Sequence, residues 1–202
     1  MKTTIITIAL FTATILGTTK TTFAADKNTD KSATILTEVS NISAIEIRGN
    51  VELYVSNGST DQIKVYNQYY SDNAMVQDEK GVLRIASYGS QKLTVWVTAG
   101  QLQKLSAYDN ASVKTFGKLS AINLDVALYN NATAQLDVDA FNAAITLNND
   151  AKANLAGNIN DGTIKYEQAI LLNTTNLKAA HLVKTEKSFA AKSDDINTIA
   201  VL

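Results

Sequence analysis

The chain has 202 residues, among them no cysteine, no proline, one histidine and one tryptophan. Without cysteine there can be no disulfide, no thiolate metal site and no lipid-bearing cysteine behind a signal segment. An exported chain lacking such staples has to rest on a continuous apolar core. Without proline, the turns fall to Asn, Asp and Gly, which suit positions of positive φ. The lone histidine, His181 in "KAAHLVK", stands far from any Gly-x-Ser-x-Gly turn. It supports neither a Ser-His-Asp nucleophile nor a zinc or other transition-metal site, and reads as a half-exposed strand residue. No cofactor or metal is expected.

Charge and long apolar runs are also scarce. Charged residues make up 18% of the chain and the formal net charge is −1. Only one long apolar run occurs, "IITIALFTATILG" after Lys2, followed by polar "TTKTT" and then "FAAD". This is the order of a secretory signal peptide over residues 1–24, with Thr22 and Ala24 at minus three and minus one from the cut. The run is near a dozen residues, short of the ~20 a membrane span requires. Removing Lys2 and Lys20 leaves 16 basic against 19 acidic side chains, a net charge of −3. Such a balance attracts neither nucleic acid nor an anionic membrane. The mature chain has no further apolar segment and is expected in the periplasm, at the cell surface or outside the cell. Residues 25–35, polar at "DKNTDKS", read as a flexible leader, and residues 36–202 as a single domain.

Beyond the leader, apolar residues recur at every second position. Ile45 and Ile47, Val51, Leu53 and Val55, Ile63 and Val65, Leu83 and Ile85, and Leu93, Val95 and Val97 mark half-buried strands. Turn chemistry separates them: "RGN", "SNGST", "DEKG" and "SYGSQ". In the second half a motif returns. "YDNA" at 108–111 is followed by "YNNA" at 129–132, "NNDA" at 148–151, "YEQA" at 166–169 and "TEKS" at 185–188. The steps are 21, 19, 18 and 19 residues, with alternating strands before and after each motif. A period near 19 with several short strands per unit fits a parallel β-helix whose coils stack on one another. The many inward alanines suit the corners of a narrow interior. A β-sandwich is the competing arrangement.

Three stretches resemble a known family. "AIEIRGNVELYVSNGSTDQIKVY", "GVLRIAS" and "LTVWVTAGQLQKLSAYDNASV" are similar to the opening strands, the turn-and-strand and the first coil of the auto-transporter adhesin head domains, or head GIN domains. The resemblance covers roughly residues 40–190. It implies an all-β, right-handed parallel β-helix-like solenoid with a repeat of about 18–21 residues, and a role in adhesion. Two features depart from the pattern: Tyr-Asp-Asn-Ala or Tyr-Asn-Asn-Ala replaces a small Gly-Ser-Gly turn, and Thr98-Ala99-Gly100-Gln101 replaces a proline-bearing connector.

Few residues could carry chemistry. Asp125, Asp137, Asp139, Asp150 and Asp161 are the acids nearest to the carboxylate clusters of polysaccharide-acting β-helix enzymes. Asp137 and Asp139 share a strand face ~7 Å apart. The neighbouring coil offers them Ala156, Asn158 and Asn160, so a solvated face is the simpler reading. "NNDAKANLAGNINDG" has oxygens for calcium but not the order of a calcium loop. The Asn-x-Ser/Thr sequences at Asn110 and Asn131 are explained by turn chemistry. Tyr108, Tyr129 and Tyr166 are expected at equivalent places in three coils, either as an exposed row that binds a ligand or as a scaffold ladder. Further rings lie in "YNQYY" from Tyr66 to Tyr70 and at Trp96.

The sequence therefore predicts an exported, non-enzymatic binding or adhesion module, with a surface glycan or protein as partner. The alternatives are a polysaccharide-acting enzyme and a structural subunit that assembles through an exposed strand edge.

Overall fold

The structure, a computed structural model, describes residues 33–36, 41–66 and 74–187. The expected signal peptide and most of the expected leader lie outside the described residues, as do residues 67–70 of the "YNQYY" stretch. The described residues form thirteen strands: β1 (Ala33–Leu36), β2 (Ala44–Gly49), β3 (Val51–Asn57), β4 (Gln62–Tyr66), β5 (Ala74–Glu79), β6 (Val82–Ser87), β7 (Leu93–Ala99), β8 (Lys104–Tyr108), β9 (Ser112–Thr115), β10 (Leu119–Leu128), β11 (Thr133–Leu147), β12 (Lys152–Tyr166) and β13 (Leu172–Glu186). A single 3-10 turn, Ala169–Leu171, precedes β13. Strand β1 begins inside the span read as leader and pairs with β4. Among the described residues no helix is long and apolar enough to cross a membrane.

The alternating residues form the core. Ile45, Ile47, Val51, Leu53, Val55, Ile63, Val65, Leu83, Ile85, Leu93, Val95 and Val97 are all buried, and they join the inward residues of β8–β12 in one continuous cluster. The strands form a single curled, open sheet around that cluster. The sheet is mixed, where the sequence predicts parallel coils throughout. β1 with β4, β4 with β7, and β5 with β6 pair antiparallel. For β5 and β6 the cause is the link. Lys80 (φ 52) and Gly81 (φ 78) make a two-residue hairpin turn, too short for the crossover that parallel pairing requires.

From β8 onward the pairing is parallel. Leu105 of β8 lies opposite Val126 of β10, which lies opposite Ile145 of β11, which lies opposite Ile164 of β12. Each strand thus meets sequence 21 or 19 residues away. The 15-residue strands β11 and β12 bend at a corner, and the burial pattern shows where. In β11, alternation runs to buried Ala140, skips over two exposed residues, Phe141 and Asn142, and resumes at buried Ala143. A bend turns two successive side chains outward, and alanine fits the tight inside.

The turns that close this stack use the recurring motif. Asp109, Asn130 and Asn149 adopt left-handed φ of 62°, 60° and 59°. Three residues after the start of each motif, Ala111, Ala132 and Ala151 donate their N–H to the carbonyls of Tyr108, Tyr129 and Asn148. These alanines are fully buried.

Candidate binding groove

The outward residues of the parallel strands stand in rows, because a parallel register places equivalent positions side by side. One row contains Asn123, Asn142, Asp161 and His181, from β10, β11, β12 and β13. The next contains Lys104, Asp125, Ala144, Thr163 and Val183, with β8 added. Along these rows runs an open groove of 670 Å³, crossing five strands. Its floor is shallow in side chain, with Ala143, Ala144 and Gly162, and its polar groups come from the two rows and from Gln103. The row is braced internally: Asn142 Nδ2 donates to Asn123 Oδ1 at 2.8 Å, and Asn160 Nδ2 donates to Asp161 Oδ2 at 2.6 Å.

The carboxylate reading groups Asp125 and Asp161, the metal and nucleophile readings rest on His181, and none of them includes Lys104, Asn123 or Asn142. The structure brings all six to one groove. The signal that finds them is the same repeat applied to outward instead of inward positions.

The tyrosine candidates part company. Tyr108 and Tyr129 stack face to face, with centroids 4.6 Å apart and planes 2° from parallel. The Arg48 guanidinium covers the other face of Tyr108 at 3.9 Å. Arg48 is itself bound by Glu46, whose Oε1 accepts from Nε and Nη2 at 2.8 and 2.6 Å. That hydrogen bond raises the Arg48 pKa further. Burial holds the Tyr108 phenol above its ordinary value, and Glu46 and Tyr129 act in the same sense. Tyr166 is not in this column. It lies opposite Leu147, one place off the expected register, and packs against the core. Expected equivalence of the three tyrosines fails because the strand before "YEQA" enters its turn one residue later than the motif suggests.

The turn residues satisfy one another. Asn130 Nδ2 donates to Asp109 Oδ1 at 3.0 Å, and Asn131 Nδ2 to Asn110 Oδ1 at 3.4 Å. The Asn149 N–H donates to Glu167 Oε2 at 2.7 Å, and Gln168 Nε2 to Asp150 Oδ1 at 3.3 Å. The Asp150 oxygen of "NNDA" is thereby engaged in a polar ladder between successive turns.

Asp137 and Asp139 stay apart from any matching acid: Asp137 lies opposite Ala156, and Asp139 opposite Ser120 and Asn158. Among the described residues no group of three or more His, Asp or Glu could hold a metal ion. Elsewhere on the outer surface, Trp96 stacks on Tyr54 at 4.7 Å and meets Phe116 and Tyr66 at 5.3 and 6.5 Å. Lys114, whose pKa is raised by its hydrogen bond to Glu52, borders this cluster.

The family model for the "Putative auto-transporter adhesin, head GIN domain" matches residues 41–188. The chain belongs to the head GIN family. Three solved structures share its fold, each with a TM-score of 0.56. One is described as a putative adhesin from Parabacteroides distasonis, at 14% identity, covering 77% of this chain and 78% of that one. Another is a putative adhesin from Parabacteroides merdae, at 17% identity and 78% of both chains. The third, also from Parabacteroides distasonis, is described as a putative lipid binding protein, at 9% identity and 78% of both chains. At these identities the likeness concerns the fold alone. A search of curated proteins returns no match. Of the two departures, the Tyr-Asp-Asn-Ala and Tyr-Asn-Asn-Ala turns carry Asp109 and Asn130 and the Thr98–Gln101 connector links β7 to β8, and neither lines the groove.

Proposed function

We propose that this head GIN chain is an exported, non-enzymatic binding or adhesion module that engages its partner in the groove across β8 and β10–β13. The observation that carries this reading is the groove itself: 670 Å³ of open space whose polar residues come from five strands in register. Concave sites with a few convergent polar groups are the usual places of ligand binding. Family membership supports adhesion, and the isolation of Asp137 and Asp139 from other acids supports a role without catalysis. In this reading residues 1–24 are a signal peptide, 25–35 a leader and 36–202 one domain, delivered to the periplasm, cell surface or medium. Parallel strands β8–β13, at their 19- to 21-residue offsets, are the coils of a right-handed β-helix-like solenoid. Tyr108 and Tyr129 are part of its scaffold, since Arg48 and the ring stack occupy their faces.

The test uses fluorescently labelled chain on intact bacterial and animal cells, read by flow cytometry. Saturable binding that weakens in the double variant N142A/D161A is expected. Binding that persists unchanged in that variant, or no binding to any cell, would remove the groove from this role.

A further inference from the structure

The chemistry of the groove narrows what it accepts, given that the groove is the binding site. The geometry points to an uncharged, extended glycan lying along the row Asn123, Asn142, Asp161 and His181. Adjacent strands stand ~4.8 Å apart, so the row offers one planar hydrogen-bonding group per strand. Two amides, a carboxylate and an imidazole combine donors with acceptors. A chain of hydroxyl groups, each both donor and acceptor, can satisfy such a row at every step. The bonds from Asn142 to Asn123 and from Asn160 to Asp161 fix the row in advance, which lowers the side-chain entropy lost on binding.

Beside this polar row stands an apolar one. Ile122 and Phe141 directly precede Asn123 and Asn142 at the corner of the sheet, and are 76% and 58% exposed. A sugar ring presents carbon-bound hydrogens on its faces and hydroxyls on its rim, so it meets both surfaces at once. An aromatic side chain is suited to the first, and amides to the second.

Other ligand classes fit less well. A polyanion would bring its charges to a groove in which Asp125 and Asp161 outnumber Lys104. An acyl chain or apolar peptide would strip water from the Asn and Asp groups and leave them without partners. A peptide adding as a strand would pair along the edge of β13 that is free among the described residues, parallel to the strands, whereas the row of polar groups runs across them.

Affinity electrophoresis of the purified chain through gels containing a dextran, a β-1,3-glucan, a β-1,4-mannan or a xylan tests the assignment, with polygalacturonate as the charged control. At least one neutral polysaccharide should retard the chain, with a Kd below about 1 mM by calorimetry. N142A, D161A and F141A should each weaken that binding about three- to tenfold, the scale of one hydrogen bond or ring contact. K152A, outside the groove, should not. Should N142A lower the melting temperature, F141A, which removes no hydrogen bond, carries the test. Retardation by polygalacturonate alone, no retardation by any neutral glycan, or equal binding by wild type and F141A would overturn the glycan assignment. Cell binding that depends on the groove while every neutral glycan fails would overturn this inference and leave the adhesion reading standing.

Discussion

At Asp109, Asn130 and Asn149 the backbone stands in the left-handed region, where a side chain's Cβ crowds the next carbonyl. Asn and Asp are tolerated there because a short polar side chain can bond locally, and here it also bonds to the neighbouring turn. Two contributions can be separated at Asn130. N130A should destabilise the fold by about 1–2 kcal/mol, through left-handed strain and the lost bond to Asp109. N130G keeps the permitted φ and loses only the side chain, so its cost should be smaller. Urea unfolding of both variants checks this, and equal losses would show that φ is not the cause. The motif was legible in the sequence as a row of turns because Asn and Asp recur before a buried alanine. Its register at the fourth motif was not legible, because Tyr166 imitates the Tyr of the motif while packing against the core, one place beyond the pair of Thr146 and Lys165.

Short strands such as β2, β3, β4, β6 and β7 were readable from strict alternation, since each keeps one face buried along its length, as β7 does with Leu93, Val95 and Val97. Long strands were harder. A corner turns two successive residues outward, as at Phe141 and Asn142, and period two is lost just where the groove forms. The antiparallel direction of β4 was not legible because alternation specifies faces, not directions, and β5 was missed because none of its residues is fully buried and no period of two marks it. Within β12, Gly157 has φ of 102° and lies opposite Val138. A Cβ there would stand 2.7 Å from Asp137 Oδ1 and closer still to the Val138 carbonyl oxygen. Backbone on both sides is held by ladder hydrogen bonds, so the neighbour cannot yield cheaply. G157A should therefore cost at least about 1–3 kcal/mol, visible as a fall in the urea midpoint with little change in its slope. A midpoint like that of wild type would show that β11 and β12 can separate here at little cost.

Across the sheet as a whole an interior strand is stabilised by the strands on its two sides, and the strand at the end differs. β13 pairs only with β12 among the described residues. Its inward places pass from half-buried Leu172, Leu177, Ala179 and Leu182 to exposed Lys184 and Glu186, and Lys184 Nζ reaches across to Thr174 Oγ1 at 2.6 Å. Polar inward residues let an end strand face water, as a terminal repeat must, but contribute little burial. Stability should then fall along the stack from the middle to this end. Amide hydrogen exchange is expected to show β13 opening at lower free energy than β10 and β11, whose Leu128 and Val138 are buried between neighbours. L182A should speed exchange in β13 and leave β10 protected. L128A, which opens a cavity in the middle of the core, should lower protection throughout by about 2–5 kcal/mol. Equal protection of β13 and β10, or a global loss from L182A, would mean that the sheet unfolds as one unit and that the end strand is no weaker than the interior ones.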